Sequence, residues 1–132
     1  MEVKAKARYV RMSPRKVRLV IDVVRGMHVK EAQTQLQFMK KAAAEPVLKL
    51  LNSAVANATH NFDLNGDTLR IKAIAADGGP TLGRWRARAF GRAAPIRKRT
   101  SHISIVLESP EKKEEKSKKP VSKKEEKEPK TN

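Results

Sequence analysis

The stretch SPRKVRLVIDVVRG, residues 13–26, contains a helix start, a helical repeat and a helix end. Ser13 followed by Pro14 is typical of an N-cap with proline at the first helical position, where the missing N–H is not needed. Apolar residues then recur at the spacing of one helix face, and Gly26 provides a stop. We therefore predict an α-helix whose apolar face is made of Val17, Val20, Ile21 and Val24.

A strand with a basic outer face is predicted before this helix. Cationic residues alternate there with Val3, Ala5, Ala7 and Tyr9, which is the period of two of an extended chain. One face of the strand is therefore apolar and turned toward the core, and the other is cationic and turned outward. The cationic face is made of Lys4, Lys6 and Arg8.

The remaining patterns complete an α+β fold. Helical spacing predicts a helix at about 29–40 and another at about 42–61, and the latter can hold Pro46 only in its first turn. Alternation predicts strands at residues 103–107 and at residues 69–75, the latter with one face made of Leu69, Ile71, Ala73 and Ala75. We predict three helices packed on a small three-stranded antiparallel sheet.

The connection between the last two strands is long and basic. It runs from Gly78 to Thr100, 23 residues, whereas hairpin loops usually have about 2–5. Alternation of arginine with apolar residues indicates that the strands continue into a β-hairpin extension, which we call the arm. About 11 residues a side at ~3.3 Å each would give it a reach of roughly 35 Å. Its tip would be residues 88–93, where Gly91 permits a turn conformation.

Charge divides the chain near Pro110. The sequence has 30 Lys plus Arg against 14 Asp plus Glu, a net charge of +16, and all its arginines precede Pro110. Residues 111–132 hold nine Lys, six Glu and one large aliphatic residue, so they cannot offset their conformational entropy by burial. We therefore expect residues 111–132 to be a disordered Lys/Glu-rich tail. Because a surplus of cations attracts the phosphates of nucleic acids, we expect residues 1–110, including the arm at about 78–100, to form one globular α+β RNA-binding domain.

Several classes of protein are disfavoured by what the sequence lacks. Without cysteine there is no disulfide framework and no thiolate metal site, and His28, His60 and His102 have no ligand spacing, so we expect no metal. There is no Walker loop or dinucleotide glycine motif, and no residues are arranged for acid–base or nucleophilic catalysis. No apolar run approaches the roughly 20 residues that span a bilayer. We expect neither an enzyme, a cofactor, a small-molecule substrate nor a membrane partner.

The surplus charge predicts a polyanionic partner, because self-repulsion destabilises the isolated chain. RNA is favoured because arginine presents a planar fork of donors to phosphate and can stack on bases. The alternative is a nonspecific, histone-like protein that compacts DNA. A 23-residue arm favours insertion into a particular cavity, since compaction needs only exposed charge.

Four segments, in the right order and spacing, resemble the large-subunit ribosomal protein L-twenty-two family. The resemblance spans residues 2–108 and has no counterpart for the tail. The segments are ARYVRMSPRKVRLV at 7–20, SAVANA at 53–58, RAFGRA at 88–93 and KRTSHI at 98–103.

The resemblance implies a constituent of the large ribosomal subunit that binds large-subunit ribosomal RNA, supports its assembly and contacts other large-subunit proteins. We expect it in the cytoplasm, and an organellar ribosome is the alternative. It further implies that the arm threads inward through the RNA and that its tip lines the polypeptide exit tunnel. The tip would meet the nascent polypeptide and influence macrolide sensitivity. The sequence departs from the family pattern at Gly83, Trp85 and Phe90. The tip residues are Arg88, Ala89, Phe90, Gly91, Arg92 and Ala93.

Contacts to ribosomal RNA are expected near the first helix and along the arm. Arg15 and Arg18 are three positions apart, hence neighbours on the helix surface, and N–H groups at a helix start favour phosphate. Trp85 either stacks on a splayed base or packs against the opposite strand of the arm. The residues expected to bind ribosomal RNA are Lys4, Lys6, Arg8, Arg11, Arg15, Lys16, Arg18, Arg84, Trp85, Arg86, Arg97, Lys98 and Arg99.

Overall fold

Three helices and five strands make up residues 1–109, the part of the chain that the computed structural model describes. The strands form an antiparallel sheet of three and another of two. The first and third helices lie on one face of the larger sheet, and the second helix packs on those two. This confirms the predicted α+β class, whereas the tail predicted at 111–132 lies outside the described residues. In chain order the elements are β1 (Glu2–Val10), α1 (Pro14–Val24), α2 (Val29–Phe38), α3 (Ala44–Phe62), β2 (Arg70–Gly78), β3 (Leu82–Ala87), β4 (Ala93–Lys98) and β5 (Ser101–Glu108).

The helix predicted from residues 13–26 forms as α1. Pro14 is its first residue, and Gly26 lies just beyond its end with a φ of +77°, which favours glycine. The hydroxyl of the N-cap Ser13 accepts no hydrogen bond from the helix. Its carbonyl oxygen instead accepts from the N–H groups of Lys16 (3.1 Å) and Val17 (3.3 Å). The predicted apolar face is buried in the core through Val17, Val20, Ile21 and Val24.

α3 has 19 residues and packs mainly against β1 and α2. Pro46 lies in its first turn, as predicted, where no intrahelical N–H bond is lost. Ala54 and Ala58 are fully buried, and such small side chains let a helix approach its neighbours closely. The helix ends where Asp63 turns to a φ of +49° and donates its N–H to the carbonyl oxygen of Ala58.

β5 is the central strand of the larger sheet, antiparallel to β1 on one side and to β2 on the other. Its predicted alternation is confirmed, because Ile103, Ile105 and Leu107 are buried toward the helices while the intervening residues are half-buried on the opposite face. The core therefore lies on one side of the sheet. The other side stays open within residues 1–109.

A β-bulge in β1 overturns one part of the predicted alternation. Ala7 pairs with Ile103 and Val10 with Ser101, so two residues of β1 oppose His102 alone. Tyr9 has a φ of +58° and its exposed ring meets the His102 ring edge-on at 4.8 Å. The prediction that Tyr9 faces the core is therefore wrong, because the extra residue shifts the strand's alternation.

β2 contains a second irregularity with the same consequence. Its register shifts between Ile71 and Ala73, and beyond that point the buried residues are Ile74 and Ala76. The prediction had placed Ala73 and Ala75 on the same face as Ile71, and this was wrong. A one-residue shift moves every later side chain to the other face of the sheet.

The arm continues the β2–β5 ladder with an offset of one residue. Gly78 pairs with Ser101 in the large sheet, whereas Leu82 pairs with Lys98 in the two-stranded sheet. Between them, the Gly79 N–H donates to the Thr100 carbonyl oxygen at 2.9 Å, and the Thr100 hydroxyl donates to the Pro80 carbonyl oxygen at 2.6 Å. Each paired strand of the arm has six residues, about 20 Å at ~3.3 Å per residue.

Gly79 should be intolerant of a side chain because it packs against this junction. A Cβ there would lie 2.5 Å from the Thr100 hydroxyl oxygen and 3.2 Å from His102 Nε2. We expect Gly79→Ala to lower the free energy of unfolding by about 1–3 kcal/mol in urea titrations, because Thr100 and His102 must move. Gly83→Ala is the matched control, since nothing lies within 4 Å of its Cβ position. Equal losses in the two variants would contradict the prediction.

An ion pair links the two outer strands of the larger sheet across β5. The Lys72 ammonium donates a hydrogen bond to the Glu2 carboxylate. The hydrogen bond and the charge of Lys72 hold the pKa of the Glu2 carboxyl below its ordinary value of 4.5, and the same contact raises the pKa of Lys72. The ion pair therefore stabilises the folded chain at pH values where the Glu2 carboxylate and the Lys72 ammonium are both charged.

Acid should remove this contribution. Because the pKa of Glu2 is lower in the folded than in the unfolded chain, the stabilisation is full above about pH 4.5 and is lost as the pH falls through the folded value. A double-mutant cycle of Glu2→Gln and Lys72→Gln, measured by urea unfolding, should show favourable coupling at neutral pH and none once Glu2 is protonated. Coupling of the same size in acid would contradict this account.

Candidate nucleic-acid interface

Four of the eight acidic side chains in residues 1–109 form ion pairs, and none of the four pairs involves a predicted RNA-binding residue. In α3, the hydrogen bond and charge of Lys49 hold the pKa of Glu45 below its ordinary value. Within this part of the chain the expected RNA-binding cations have no ion-pair partner, so their charge remains available to a polyanion. The pairs are Arg25–Asp22, Lys30–Asp67, Lys49–Glu45 and Lys72–Glu2.

β1 presents its predicted cationic face to solvent on the open side of the sheet. Lys4, Lys6 and Arg8 are all exposed, as the alternation up to the bulge requires. Beside them the Tyr9 N–H donates to His102 Nδ1 at 3.0 Å, so that ring nitrogen acts as an acceptor. The sequence did not identify Tyr9 or His102 as part of this surface. Alternation in β5 accounts for the place of His102 on this face, but no alternation rule could have placed Tyr9 there, because the bulge in β1 does so.

Arg15 and Arg18, the neighbouring arginines that were predicted to bind RNA from α1, lie in different surroundings. Arg18 Nε donates to the Ala76 carbonyl oxygen at 3.0 Å, and Arg25, seven residues later, donates to the Ile74 carbonyl oxygen at 3.3 Å. Both acceptors lie on β2, an outer strand of the sheet. These arginines thus cover part of a sheet edge while remaining exposed. Arg15 is exposed at the start of the helix.

A basic groove lies between α1, the α2–α3 connection and the base of the arm. We call it the α1 groove; its volume is about 1060 Å³. It brings together five predicted RNA-binding residues from two distant parts of the sequence and adds Lys41 from a third, which the sequence did not single out. No acidic residue lines it. Its cations are Arg11, Lys16, Lys41, Arg97, Lys98 and Arg99.

The α1 groove also has an apolar part of its lining, formed by Leu19, Val23, Met12 and Met39, which we call its floor. Leu19 and Val23 are four residues apart on α1 and remain 68 % and 40 % exposed, although the helix has already buried its core face. Met12 and Met39 contribute from the flanking connections. The i, i+4 spacing of Leu19 and Val23 in the sequence indicates a second apolar face on this helix. It was not used, because the core face was sufficient to predict the helix.

The arm presents cations on both faces and an exposed aromatic on one. Paired residues of an antiparallel ladder share a face, so Trp85 lies with Pro95 while Arg84 and Arg86 lie on the other side with Ile96 and Ala94. Trp85 is 73 % exposed. Packing on Pro95 therefore covers little of its ring, and most of it remains free. All the basic residues of the arm are exposed.

The tip is a tight turn with an outward aromatic. The Arg88 N–H donates to the Arg92 carbonyl oxygen at 2.8 Å and closes the turn. Phe90 and Gly91 adopt φ values of +56° and +64°, which confirms the turn role predicted for Gly91. Phe90 is 99 % exposed. A positive φ is unfavourable for a bulky residue, so this closure holds the ring in a conformation that the isolated dipeptide would avoid.

Other functional sites find no support in residues 1–109. No group of three or more histidine and carboxylate side chains is placed to hold a metal ion there. In the same part of the chain no helix is both long and apolar enough to cross a membrane.

Comparison with known proteins matches this sequence to one family. The sequence profile described as "Ribosomal protein L22p/L17e" matches residues 5–108. A "Large ribosomal subunit protein uL22" of Desulfitobacterium hafniense (strain DSM 10664 / DCB-2) is 59 % identical over 106 residues, covering 80 % of this chain and 93 % of the relative. Proteins of the same description from Chloroflexus aggregans (strain MD-66 / DSM 9485) and Macrococcus caseolyticus (strain JCSC5402) are 57 % and 56 % identical over 107 residues, covering 81 % of this chain and 95 % and 86 % of the relatives.

The family profile spans the domain from β1 to β5, including the arm. The relatives align over nearly their whole length, which confirms the resemblance seen in the four sequence segments. The chain therefore belongs to the ribosomal protein L22p/L17e family and is a structural constituent of the large ribosomal subunit.

Proposed function

We propose that this protein binds large-subunit ribosomal RNA through β1, the α1 groove and the arm, and supports folding of that RNA during assembly. The observation that carries the proposal is the set of exposed cations at these places with no ion-pair partner in residues 1–109. Membership of the large subunit supplies the polyanion, because the family places the chain among ribosomal RNA and ribosomal proteins. Residues 1–110 then act as one RNA-binding domain.

The arm suits insertion between RNA segments. Two strands with cations on both faces can neutralise phosphates on either side, and close approach of RNA segments otherwise meets strong repulsion. Exposed Trp85 offers a stacking surface for an unpaired base. Contacts of this kind go mostly to phosphate and sugar, so the arm recognises RNA shape more than sequence.

The tip is proposed to line the nascent-polypeptide exit tunnel. Its turn is compact, it has no acidic residue, and Phe90 projects fully from the end. An aromatic ring flanked by Arg88 and Arg92 can touch apolar and acidic side chains of a passing polypeptide. The same surface would lie close to a macrolide bound in the tunnel.

Binding to RNA should weaken steeply with salt, because each neutralised single-strand phosphate contributes about −0.7 to the log–log slope. Replacing Arg84 and Arg86 by Gln should make the slope shallower by about 1.4 in fluorescence-anisotropy titrations with a large-subunit RNA fragment. Lys30→Gln with Lys49→Gln is the charge-matched control, because both lysines are engaged in ion pairs elsewhere on the domain. A flat salt response of the unaltered protein would contradict RNA binding by charge.

Removal of the tip should separate tunnel function from anchoring. Replacing residues 88–92 by Asn-Gly, a two-residue turn that closes hairpins, keeps the pairing of Ala87 with Ala93, removes two arginines and leaves the remaining interface. We expect normal incorporation into large subunits in sucrose gradients, a salt slope shallower by at most about 1.4, and altered macrolide sensitivity. Absence of this variant from subunits would contradict the division between anchor and tip.

A further inference from the structure

We propose that the α1 groove holds an unpaired nucleotide of ribosomal RNA, with its base against the apolar floor and its flanking phosphates on the six lining cations, which we call the basic rim. This inference rests on the proposed RNA binding and adds a site within it. It concerns Lys41, Leu19, Val23 and Met39, none of which was among the residues expected to bind RNA.

The rim selects a polyanion. Six cations and no acidic residue line the α1 groove, and they come from the β1–α1 connection, α1, the α2–α3 connection and the residues around the end of β4. A single small anion could not satisfy charges contributed from both sides of a cleft of about 1060 Å³. Successive phosphates of a strand crossing the cleft can.

The floor favours a ligand that has a flat apolar surface between its phosphates. Leu19 and Val23 expose aliphatic surface directly beside the cations, and no aromatic residue lines the α1 groove. Double-stranded RNA offers phosphates, riboses and groove edges to a protein, and its base faces are stacked away. An unpaired base exposes its face, and protein side chains recognise RNA chiefly at such unstacked positions. The floor therefore favours an unpaired nucleotide over duplex RNA.

Other occupants fit less well. A second copy of this chain would bring the same six cations to the same groove, which like-charge repulsion disfavours. The chain's own residues 111–132 hold six Glu but only Val121 as a large aliphatic residue, so they offer little to the floor. A segment of another protein would need several acidic residues to pair with the six cations of the rim. Arg97 and Lys98 belong to both the arm and the α1 groove, so an RNA strand bound along the arm would continue over the floor. This continuity favours RNA as the occupant.

The site can be located inside assembled large subunits by photo-crosslinking. A benzophenone amino acid replaces Leu19, subunits are purified on gradients, and adducts are mapped by reverse transcription and mass spectrometry. We expect an adduct on an unpaired nucleotide of the large-subunit RNA. An adduct on a paired nucleotide or on another protein, or no adduct in subunits that contain the variant, overturns the proposal. The benzophenone amino acid placed at Trp85 instead tests RNA contact by the arm separately. If neither position gave an adduct with RNA, the proposed RNA binding itself would be contradicted.

Solution binding provides the second measurement. The full chain is titrated with two synthetic RNA hairpins, one fully paired and one with a single bulged nucleotide. We expect about fivefold or greater preference for the bulged hairpin, which burial of about 40 Å² of aliphatic surface against one base can supply. Leu19→Ser with Val23→Ser should abolish this preference without changing the salt slope, because no charge is altered.

Phe38→Ser is the matched control. Phe38 is 79 % exposed on α2 and does not line the α1 groove, so its loss should leave the preference intact. Equal affinity of the unaltered protein for both hairpins overturns the inference while leaving RNA binding in place. Equal loss of the preference in the Phe38 variant overturns it as well. Absence of binding to either hairpin would count against RNA binding itself.

Discussion

Pairing of β5 with both β1 and β2 is the interaction on which the rest of the structure depends. The strand gives Ile103, Ile105 and Leu107 to the core, joins two strands far apart in sequence, and leads directly out of the arm. Because β5 is held on both sides, the junction at Gly79 and Thr100 has a fixed base, and the arm can leave the domain in a defined direction without a core of its own. The α1 groove depends on the same junction, since its far side is made by residues 97–99.

The elements of this fold could be predicted from local patterns, and what escaped prediction depends on pairing between strands. The cap at Ser13, the stop at Gly26 and the place of Pro46 follow from local backbone chemistry, so the helices were found within a few residues of their ends. The positions of Tyr9 and Ile74 depend on where a partner strand has one residue fewer, and no window of a single strand contains that information.

The candidate site divides in the same way. Cations could be assigned to RNA from their density and from the lack of nearby acids, because charge is additive along the sequence. The α1 groove could not be assembled from the sequence, since Arg11, Lys41 and Arg99 meet only after β4 and the α2–α3 connection approach α1. Arg18 was predictable only in part. Its place on the helix surface follows from the sequence, but its hydrogen bond to the Ala76 carbonyl oxygen depends on how the helix packs against the sheet edge.

The presence of Pro95 opposite Trp85 bears on the life of the chain before assembly. Both strands of the arm are edge strands, and an exposed edge normally invites pairing with another chain. Proline has no N–H to offer at that position, and the surrounding arginines repel a second arm. Newly made copies can therefore carry an extended, unsupported hairpin at high concentration without joining one another through it, and the same cations that keep copies apart are those left available to the RNA.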